Sequence, residues 1–203
     1  MAARDPDRQK KLIVIARRLF AKYGYRGTSL SMIAAEAGLS KAALYHHFEN
    51  KEAIYRAISV GGMGLLYETV LHAVEEAGGT PRERLMAYMR ASASHFERNR
   101  DNWLVNSALF WGKQVPSGRE AVISVRDAYE TLLKRLIQEG MQTGQFRADL
   151  DVSLASKFLL SSMNQMPRWH HSDGEKSAVE VMEVFVDLFL RGVEASPNGV
   201  APA

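Results

Sequence analysis

The chemistry of this chain is concentrated in the short stretch after Ser40, where one helix face is expected to carry hydrogen-bond donors. Leu44 and Phe48 lie four residues apart, so both side chains point to the same side of a helix and anchor it inward. Four residues then face outward: Lys41, Ala42, Tyr45 and His46. An ammonium group, a methyl group, a phenol and an imidazole suit contacts with phosphates and base edges, so we predict a helix that reads DNA.

A second short helix and a tight turn precede this one. Thr28 is predicted to cap the earlier helix, because its side-chain oxygen can accept a hydrogen bond from a free backbone amide. Gly38 tolerates the left-handed conformation that ends a helix, and Ser40 can cap the next one. Apolar residues form one stripe of the earlier helix: Leu30, Ile33, Ala34 and Ala37. Two short helices joined by such a turn are the layout of a helix-turn-helix DNA reader.

This stretch closely resembles the N-terminal domain of the TetR family of bacterial transcriptional regulators, over roughly residues 8 to 58. The matching segments are Ala16–Phe20, Gly24–Tyr25, Thr28–Leu30, Ile33–Ala34, Ala37–Lys41, Leu44–Tyr45, His47–Phe48 and Asn50–Glu52. A departure is Ala42, where many members carry glycine, which leaves the approach of the helix to DNA and its base preference open. The resemblance implies a homodimeric repressor that binds a pseudo-palindromic operator. The alternative is a bundle of the same shape that binds no DNA.

Seven residues are expected to contact the operator: Thr28, Ser40, Lys41, Ala42, Tyr45, His46 and Lys51. Of these, Ala42, Tyr45 and His46 should lie nearest the base edges. If Lys51 binds a phosphate, replacing it by alanine should weaken binding to all sequences alike and lower the salt dependence by about one.

Composition and charge agree with this interpretation. The chain has 203 residues, of which 46% are hydrophobic and 24% charged, as in ordinary globular proteins. It contains no cysteine, its first residues are polar, and no apolar run reaches the roughly 20 residues of a membrane span, so we expect a cytoplasmic protein. The first 55 residues carry a net charge of +5 and the remainder −2. A basic head on a slightly acidic body is typical of phosphate binding at the head.

Capping signals divide the rest of the chain into further helices and predict an all-α fold of about nine helices. Proline at first helical positions and Ser/Thr-x-x-Glu boxes are the main start signals. Predicted helix starts are Pro6, Asn50, Thr80, Asp101, Ser117, Asp151 and Ser177. We predict a three-helix helix-turn-helix domain over residues 1–50, a helical-bundle domain for ligand binding and dimerisation over residues 51–195, and a disordered tail over residues 196–203.

The last two helices are predicted to form a homodimer interface. The final helix has apolar residues nearly all round, so it must be buried on more than one side. Small residues on the helix before it allow close helix approach. Interface residues are predicted to be Phe158, Ser162, Met182, Val186 and Phe189. A dimer would also place two recognition helices about 34–36 Å apart, in successive major grooves. The alternative is that both are central helices of a monomer.

The middle helices are expected to hold a small-molecule effector in an apolar cavity with a few polar groups. The predicted lining is Met63, Leu66, Met89, Phe96, Trp103, Asn106, Phe110, Tyr129, Met163, Arg168 and Trp169. Plain core packing is the alternative role for each of these residues. The stretch from Asn164 to Ser177 also looks loosely like TetR-family members that respond to acyl-coenzyme A thioesters, and Arg168 could pair with a phosphate there. The effector is therefore expected to be a small apolar or acyl-CoA-type molecule.

The sequence carries no recognisable catalytic or metal-binding pattern. None of the six histidines has a glutamate three residues before it, so the Glu-x-x-His pairs of di-iron bundles are missing. The chain also lacks a Gly-x-Ser-x-Gly elbow, a phosphate-binding glycine loop and a cysteine nucleophile. We expect no enzyme activity, no metal and no cofactor. A helical protein-binding adaptor, or a helical-bundle enzyme, remains the alternative to a regulator.

The fourth predicted helix contains three glycines: Gly61, Gly62 and Gly64. They either form a hinge that couples effector to DNA or permit close packing against a neighbouring helix. Replacing Gly61 and Gly62 by alanine is expected to leave the fold intact and, if they form a hinge, to change the coupling.

Overall fold

The structure, a computed structural model, describes residues 6–111 and 120–194, and side chains over 7–106 and 120–194. Within these residues it contains helices and no β-strand, which confirms the all-α prediction. The helices are α1 (Pro6–Gly27), α2 (Leu30–Glu36), α3 (Lys41–Tyr45), α4 (Lys51–Ala77), α5 (Pro81–Arg98), α6 (Arg100–Trp111), α7 (Glu120–Gln142), α8 (Val152–Gln165) and α9 (Ala178–Val193), with a 3₁₀ turn (Met166–Arg168) between the last two.

Most predicted helix starts are confirmed by their caps. Ser40 accepts from the Ala43 amide at 3.1 Å, and Asp151 accepts from the Leu154 amide at 2.9 Å. The Thr80 and Ser177 capping boxes are both formed, each with the glutamate three residues later: Glu83 and Glu180. Short-range side-chain signals thus fixed these starts, because a cap depends on neighbours within one turn. The Ser117 start and the tail over 196–203 lie outside the described residues.

The cap of α2 is Ser29, not Thr28. The Ser29 hydroxyl accepts from the Met32 amide at 3.1 Å. Thr28 is buried, and its hydroxyl donates to the carbonyls of Leu19 and Gly24. The prediction for Thr28 is wrong because its side chain closes the break in α1, where Gly24 has φ 71°.

The described residues fall into two compact units. One lies within Met1–Gly64 and Asn99–Val125, and the other within Leu65–Arg98 and Arg126–Ala203. The first unit therefore holds α1–α3, the first half of α4, and α6. The predicted split at residue 50 did not anticipate that α6 would join the N-terminal helices, because that contact joins residues far apart in the sequence.

The first unit has one hydrophobic core beneath the short helices. Leu44 of α3 and Ile33 of α2 are fully buried in it, together with Phe20 of α1. The remaining buried members are Leu12, Ala16, Leu19, Ala34, Phe48, Ile54, Tyr55, Ile58 and Val105. Because α3 has only five residues, its orientation depends on this packing more than on helix propensity.

In the second unit, α9 packs against α5 and α8. One side of α9 is fully buried there, through Ala178, Met182, Val186, Leu190 and Val193. Ion pairs tie its outer edge to α5: Arg90 with Glu183 at 2.7 Å and Arg82 with Glu194 at 2.9 Å. The last helix is thus held by its own unit along its whole length.

Helix α4 is the one helix within the described ranges whose length and composition would allow it to cross a membrane. Its residues Ile54, Tyr55, Ile58, Leu66 and Val70 are buried inside the protein.

The α4 glycines differ from one another. A Cβ atom built on Gly62 would lie 2.0 Å from the Asn102 Nδ2 atom of α6, whereas Gly61 and Gly64 face open space. The expectation that alanine is harmless at both Gly61 and Gly62 is therefore wrong for Gly62, because that glycine allows α6 to approach.

Candidate nucleic-acid interface

The turn between α2 and α3 has the geometry expected of a helix-turn-helix. Gly38 takes φ 66°, and the Leu39 amide donates back to the Ala34 carbonyl at 2.9 Å, which closes the end of α2. Leu44 and Phe48 are buried, so α3 is anchored on the face that the sequence predicted. The opposite face of α3 is left to the solvent.

That outer face carries most of the predicted DNA-contacting residues. Ser40, Lys41, Ala42 and His46 are exposed, and Tyr45 keeps 47% of its surface exposed. We name this set the recognition face. It offers an ammonium group, a phenol and an imidazole within two helical turns. The small side chain of Ala42 allows another molecule to approach the helix closely.

Thr28 and Lys51 lie elsewhere, and the structure gives their side chains other partners. The Lys51 Nζ donates to the carbonyls of Tyr25 at 2.9 Å and Thr28 at 3.0 Å, and lies 4.2 Å from the Tyr25 ring centroid. Both carbonyls sit where α1 ends and α2 begins, and the ammonium group satisfies them. We therefore propose that the half-buried Lys51 and the buried Thr28 position the two short helices, in place of the DNA contacts that the sequence predicts for them.

Tyr25 extends this arrangement, in a role that no sequence pattern predicted. Its hydroxyl donates to the Glu52 carboxylate at 2.6 Å, and its ring packs edge-on against Tyr55 at 4.9 Å. The Tyr55 hydroxyl in turn donates to the Val105 carbonyl of α6 at 2.9 Å. Spacing gave no signal for these contacts, because they join residues up to 50 positions apart.

Burial and these hydrogen bonds shift the pKa values of the groups involved. Burial and then the hydrogen bond to Glu52 raise the pKa of Tyr25 well above its usual range. The same bond lowers the pKa of the Glu52 carboxyl, while burial raises the pKa of Tyr55 to about 12. The tyrosines therefore stay protonated donors, and Glu52 stays an acceptor, at any pH near neutrality.

A matched pair of lysine variants separates the two roles. Replacing Lys51 by methionine should lower the unfolding free energy by about 2 kcal/mol, because two carbonyls lose a charged donor. Operator affinity should fall, but the slope of log affinity against log salt should stay unchanged. Replacing Lys41 by methionine should leave stability unchanged and reduce that slope by about one, since one phosphate contact is lost. Thermal denaturation and salt titrations of DNA binding measure both quantities.

The outcome that contradicts this assignment is a reduced salt slope for the Lys51 variant. Lys51 would then contact phosphate as the sequence analysis first proposed.

The predicted effector residues are divided between the two units. Met63, Trp103 and Asn106 are buried in the first unit, and the Asn106 Oδ1 has no hydrogen-bond partner in the described part of the chain. In the second unit, five others are buried: Leu66, Met89, Phe96, Tyr129 and Met163. The side chain of Phe110 lies outside the described residues.

Buried tyrosines supply polar groups inside the second unit. The Tyr129 hydroxyl shares a 2.8 Å hydrogen bond with the Ser92 hydroxyl, and the Tyr88 hydroxyl donates to the Tyr129 carbonyl. Burial raises the pKa of both tyrosines, so both keep their protons. Tyr129 is thus already satisfied by protein partners.

Arg168 and Trp169, the loosely matched acyl-CoA pair, lie on the surface. Arg168 is exposed, and Trp169 packs on Phe185 of α9 with ring centroids 6.0 Å apart. Trp169 thus lies against α9, and neither residue is buried like the other candidates.

The outer sides of α8 and α9 form an apolar surface. Phe158 stacks on Phe189 at 5.9 Å and is 59% exposed, and Leu188 is 64% exposed. We call this surface the α8/α9 face, and its residues are Leu154, Phe158, Val184, Phe185, Leu188 and Phe189. Ser162 is partly exposed nearby. The interface prediction is wrong for Met182 and Val186, since both are fully buried within their own unit.

No group of three or more histidine, aspartate or glutamate side chains is arranged to hold a metal ion in the ranges that the structure describes.

Two family descriptions match the chain. Residues 12–58 match bacterial regulatory proteins of the tetR family, and residues 78–193 match the tetracyclin repressor-like C-terminal domain.

Similar proteins cover nearly the whole chain. The HTH-type transcriptional repressor KstR2 of Mycolicibacterium smegmatis is 27% identical over 94% of this chain and 92% of its own length. The TetR family transcriptional regulator PfmR from Thermus thermophilus is 36% identical, with a TM-score of 0.79 over 89% of this chain and 97% of that chain. AibR, solved with isovaleryl coenzyme A and operator DNA, is 28% identical, with the same TM-score and the same coverage.

Proposed function

Because this chain belongs to the TetR family of DNA-binding transcriptional regulators, we propose that it represses transcription from a pseudo-palindromic operator and leaves that operator when an acyl-coenzyme A thioester binds. It is a ligand-responsive regulator, and we assign it no catalytic role. Its site of action is the bacterial cytoplasm, where DNA and such thioesters meet.

The observation that carries the DNA-binding role is the recognition face. Tyr45, Lys41 and His46 project from a helix whose inner side is fully anchored by Leu44 and Phe48. A rigid helix with donors on one side can enter a major groove, with Lys41 on phosphate and Tyr45 and His46 towards the bases. Because the side chains of Thr28 and Lys51 bind carbonyls within the unit, the preference for a DNA sequence depends on the recognition face among the predicted contact residues.

Dimerisation is the second part of the proposal. The α8/α9 face presents four large aliphatic or aromatic side chains that are more than half exposed: Leu154, Phe158, Val184 and Leu188. Contiguous exposed apolar surface of this kind marks an interaction site. A two-fold axis through this face would pair it with the same face of a second copy, and two heads would then reach both halves of a pseudo-palindrome.

The acyl-CoA part rests on two supports. AibR, a relative of similar length, was solved with isovaleryl coenzyme A and operator DNA. In this chain the buried Asn106 Oδ1 has no protein partner among the described residues, and a buried acceptor of this kind is normally satisfied. An amide or hydroxyl of a bound thioester would supply the donor, with the buried Met63 and Trp103 of the same unit as apolar surroundings.

The test uses a duplex that the wild-type protein selects from a random library. Fluorescence anisotropy should show salt-sensitive, sequence-dependent binding. Replacing Tyr45 by alanine should weaken binding to the selected duplex by about tenfold to a hundredfold and to random DNA far less, since base contacts carry sequence preference. Tyr45→Phe is the matched control that isolates the hydroxyl. An equal loss of affinity for the selected duplex and for random DNA would show that Tyr45 does not contact the bases.

The same assay tests the effector. Isovaleryl coenzyme A should release the selected duplex, whereas free coenzyme A should not. Reciprocity requires the duplex to weaken thioester binding by the same factor. A helical protein-binding adaptor predicts no selected duplex at all. If the protein selects a duplex but isovaleryl coenzyme A does not release it, the DNA-binding role stands and this class of effector is excluded.

A further inference from the structure

A cavity of about 490 Å³ opens in the second unit between the end of α4, the start of α5 and the middle of α7. Val74 and Leu132 form apolar walls, with the fully buried Leu136 beneath them. The volume is within the range of about 300–1,000 Å³ typical of small-molecule sites. The ten predicted effector residues whose side chains the structure describes lie outside its lining.

Polar groups meet at one end of this cavity. Arg84 of α5 and Glu139 of α7 form an ion pair at 2.7 Å, and both line the cavity. Arg135, one turn before Glu139, and Glu75 of α4 complete the polar lining and are exposed. The cavity thus has an apolar body and a charged end.

Both partners of this ion pair keep unsatisfied hydrogen-bonding atoms. The buried Arg84 Nε and the buried Glu139 Oε2 have no hydrogen-bond partner among the residues described, and the Arg84 guanidinium carries five donors in all. The Arg84 side chain keeps 27% of its surface exposed, so the guanidinium can turn towards the cavity. Arg135 adds a second guanidinium. A bound group that accepts hydrogen bonds and carries negative charge would satisfy both.

From this we propose that the cavity binds an aliphatic carboxylate, with the chain along Val74, Leu132 and Leu136 and the carboxylate between Arg84 and Arg135. Guanidinium groups match carboxylates because two parallel N–H donors can meet two oxygens. Glu75 opposes the bound anion and sets a limit on its affinity. The site is separate from the proposed thioester site and independent of DNA binding.

Octanoate is the probe, titrated into the full-length protein by calorimetry without DNA. We expect saturable binding at one site per chain. Octanol, which lacks the charge, should bind more weakly, and octylammonium more weakly still. No saturable octanoate binding, or octylammonium binding as tight as octanoate, would overturn the proposal.

Two exposed positions test the charged end. Arg135→Glu should weaken octanoate binding at least tenfold, whereas Glu75→Gln should strengthen it two- to fivefold. Arg90→Glu is the matched control, since it makes the same charge change at an exposed arginine of the same unit, outside the cavity. An equal loss in the Arg90 and Arg135 variants would show a general charge effect and contradict the site.

Val74→Trp tests the apolar walls by filling the space between α4 and α7. The folded variant should lose octanoate binding while keeping its affinity for selected DNA. Unchanged octanoate binding would mean that the carboxylate lies elsewhere and would overturn the proposal. Should this variant fail to fold, the Arg135 and Glu75 variants decide the question. Failure of DNA binding in the wild type would count against the proposed function and not against this cavity.

Discussion

Replacing Leu188 by glutamate is expected to convert the dimer into a folded monomer that binds the selected duplex at least about 100-fold more weakly. Leu188 is 64% exposed on the α8/α9 face, so the isolated chain tolerates a charge there. In a dimer the same carboxylate would be buried without a partner, which costs several kcal/mol. A single reading head also loses the second half of the operator, and each 1.4 kcal/mol lost is about a tenfold change in affinity.

Val186→Glu, only two residues away, should act in a different way. Val186 is fully buried against its own unit, so a charge there should unfold the chain and give no folded monomer. Circular dichroism and sedimentation on the two variants distinguish these outcomes. This contrast replaces the expectation that both Val186 and Phe189 would report on the interface.

Leu65→Glu is the matched control for the Leu188 variant. Leu65 is an exposed leucine on α4, outside the α8/α9 face, with 53% of its surface accessible. Its variant should remain a dimer and bind DNA normally. A soluble, unaltered dimer for Leu188→Glu would instead show that α9 is not the interface.

Replacing Gly62 by alanine is expected to destabilise the protein by about 1–3 kcal/mol, the usual range for overpacking a filled site. The new methyl carbon would lie 2.0 Å from the Asn102 Nδ2, and Asn102 is itself buried at 4% exposure. Either the amide or the α4–α6 contact must therefore move. Thermal denaturation measures the loss directly.

Gly61→Ala is the neighbouring control and should stabilise the protein by about 0.5–1 kcal/mol, because its Cβ meets open space in a helix interior. Effector affinity with and without operator should show the same coupling factor in this variant as in the wild type. A changed coupling factor with Gly61→Ala would restore the hinge hypothesis. If Gly62→Ala proves as stable as the wild type, the close α4–α6 contact is not present in solution.

The sequence by itself determined the all-α fold, most helix starts and the recognition face. Ser40, Asp151 and the two capping boxes act on amides within one turn, and Leu44 and Phe48 select the inner face of α3 through a four-residue spacing. The one cap assigned to the wrong residue, Thr28, shows the limit of such signals. Two adjacent hydroxyl residues fit the same local pattern, and only the partners of the buried one, in α1, decided between them.

Only the tertiary structure decided how each side chain is used when its partner is distant in sequence. The Lys51 Nζ donates to carbonyls 23 and 26 residues away in the sequence, and so acts within the first unit. Helix α9 is apolar nearly all round in sequence, and only its packing against α5 and α8 shows that Val186 faces inward and Leu188 outward. The α4–α7 cavity likewise joins three helices whose residues carry no shared motif. The spacing of apolar residues along one helix specifies its faces. Which other helix packs against each face depends on contacts between residues that are distant in the sequence.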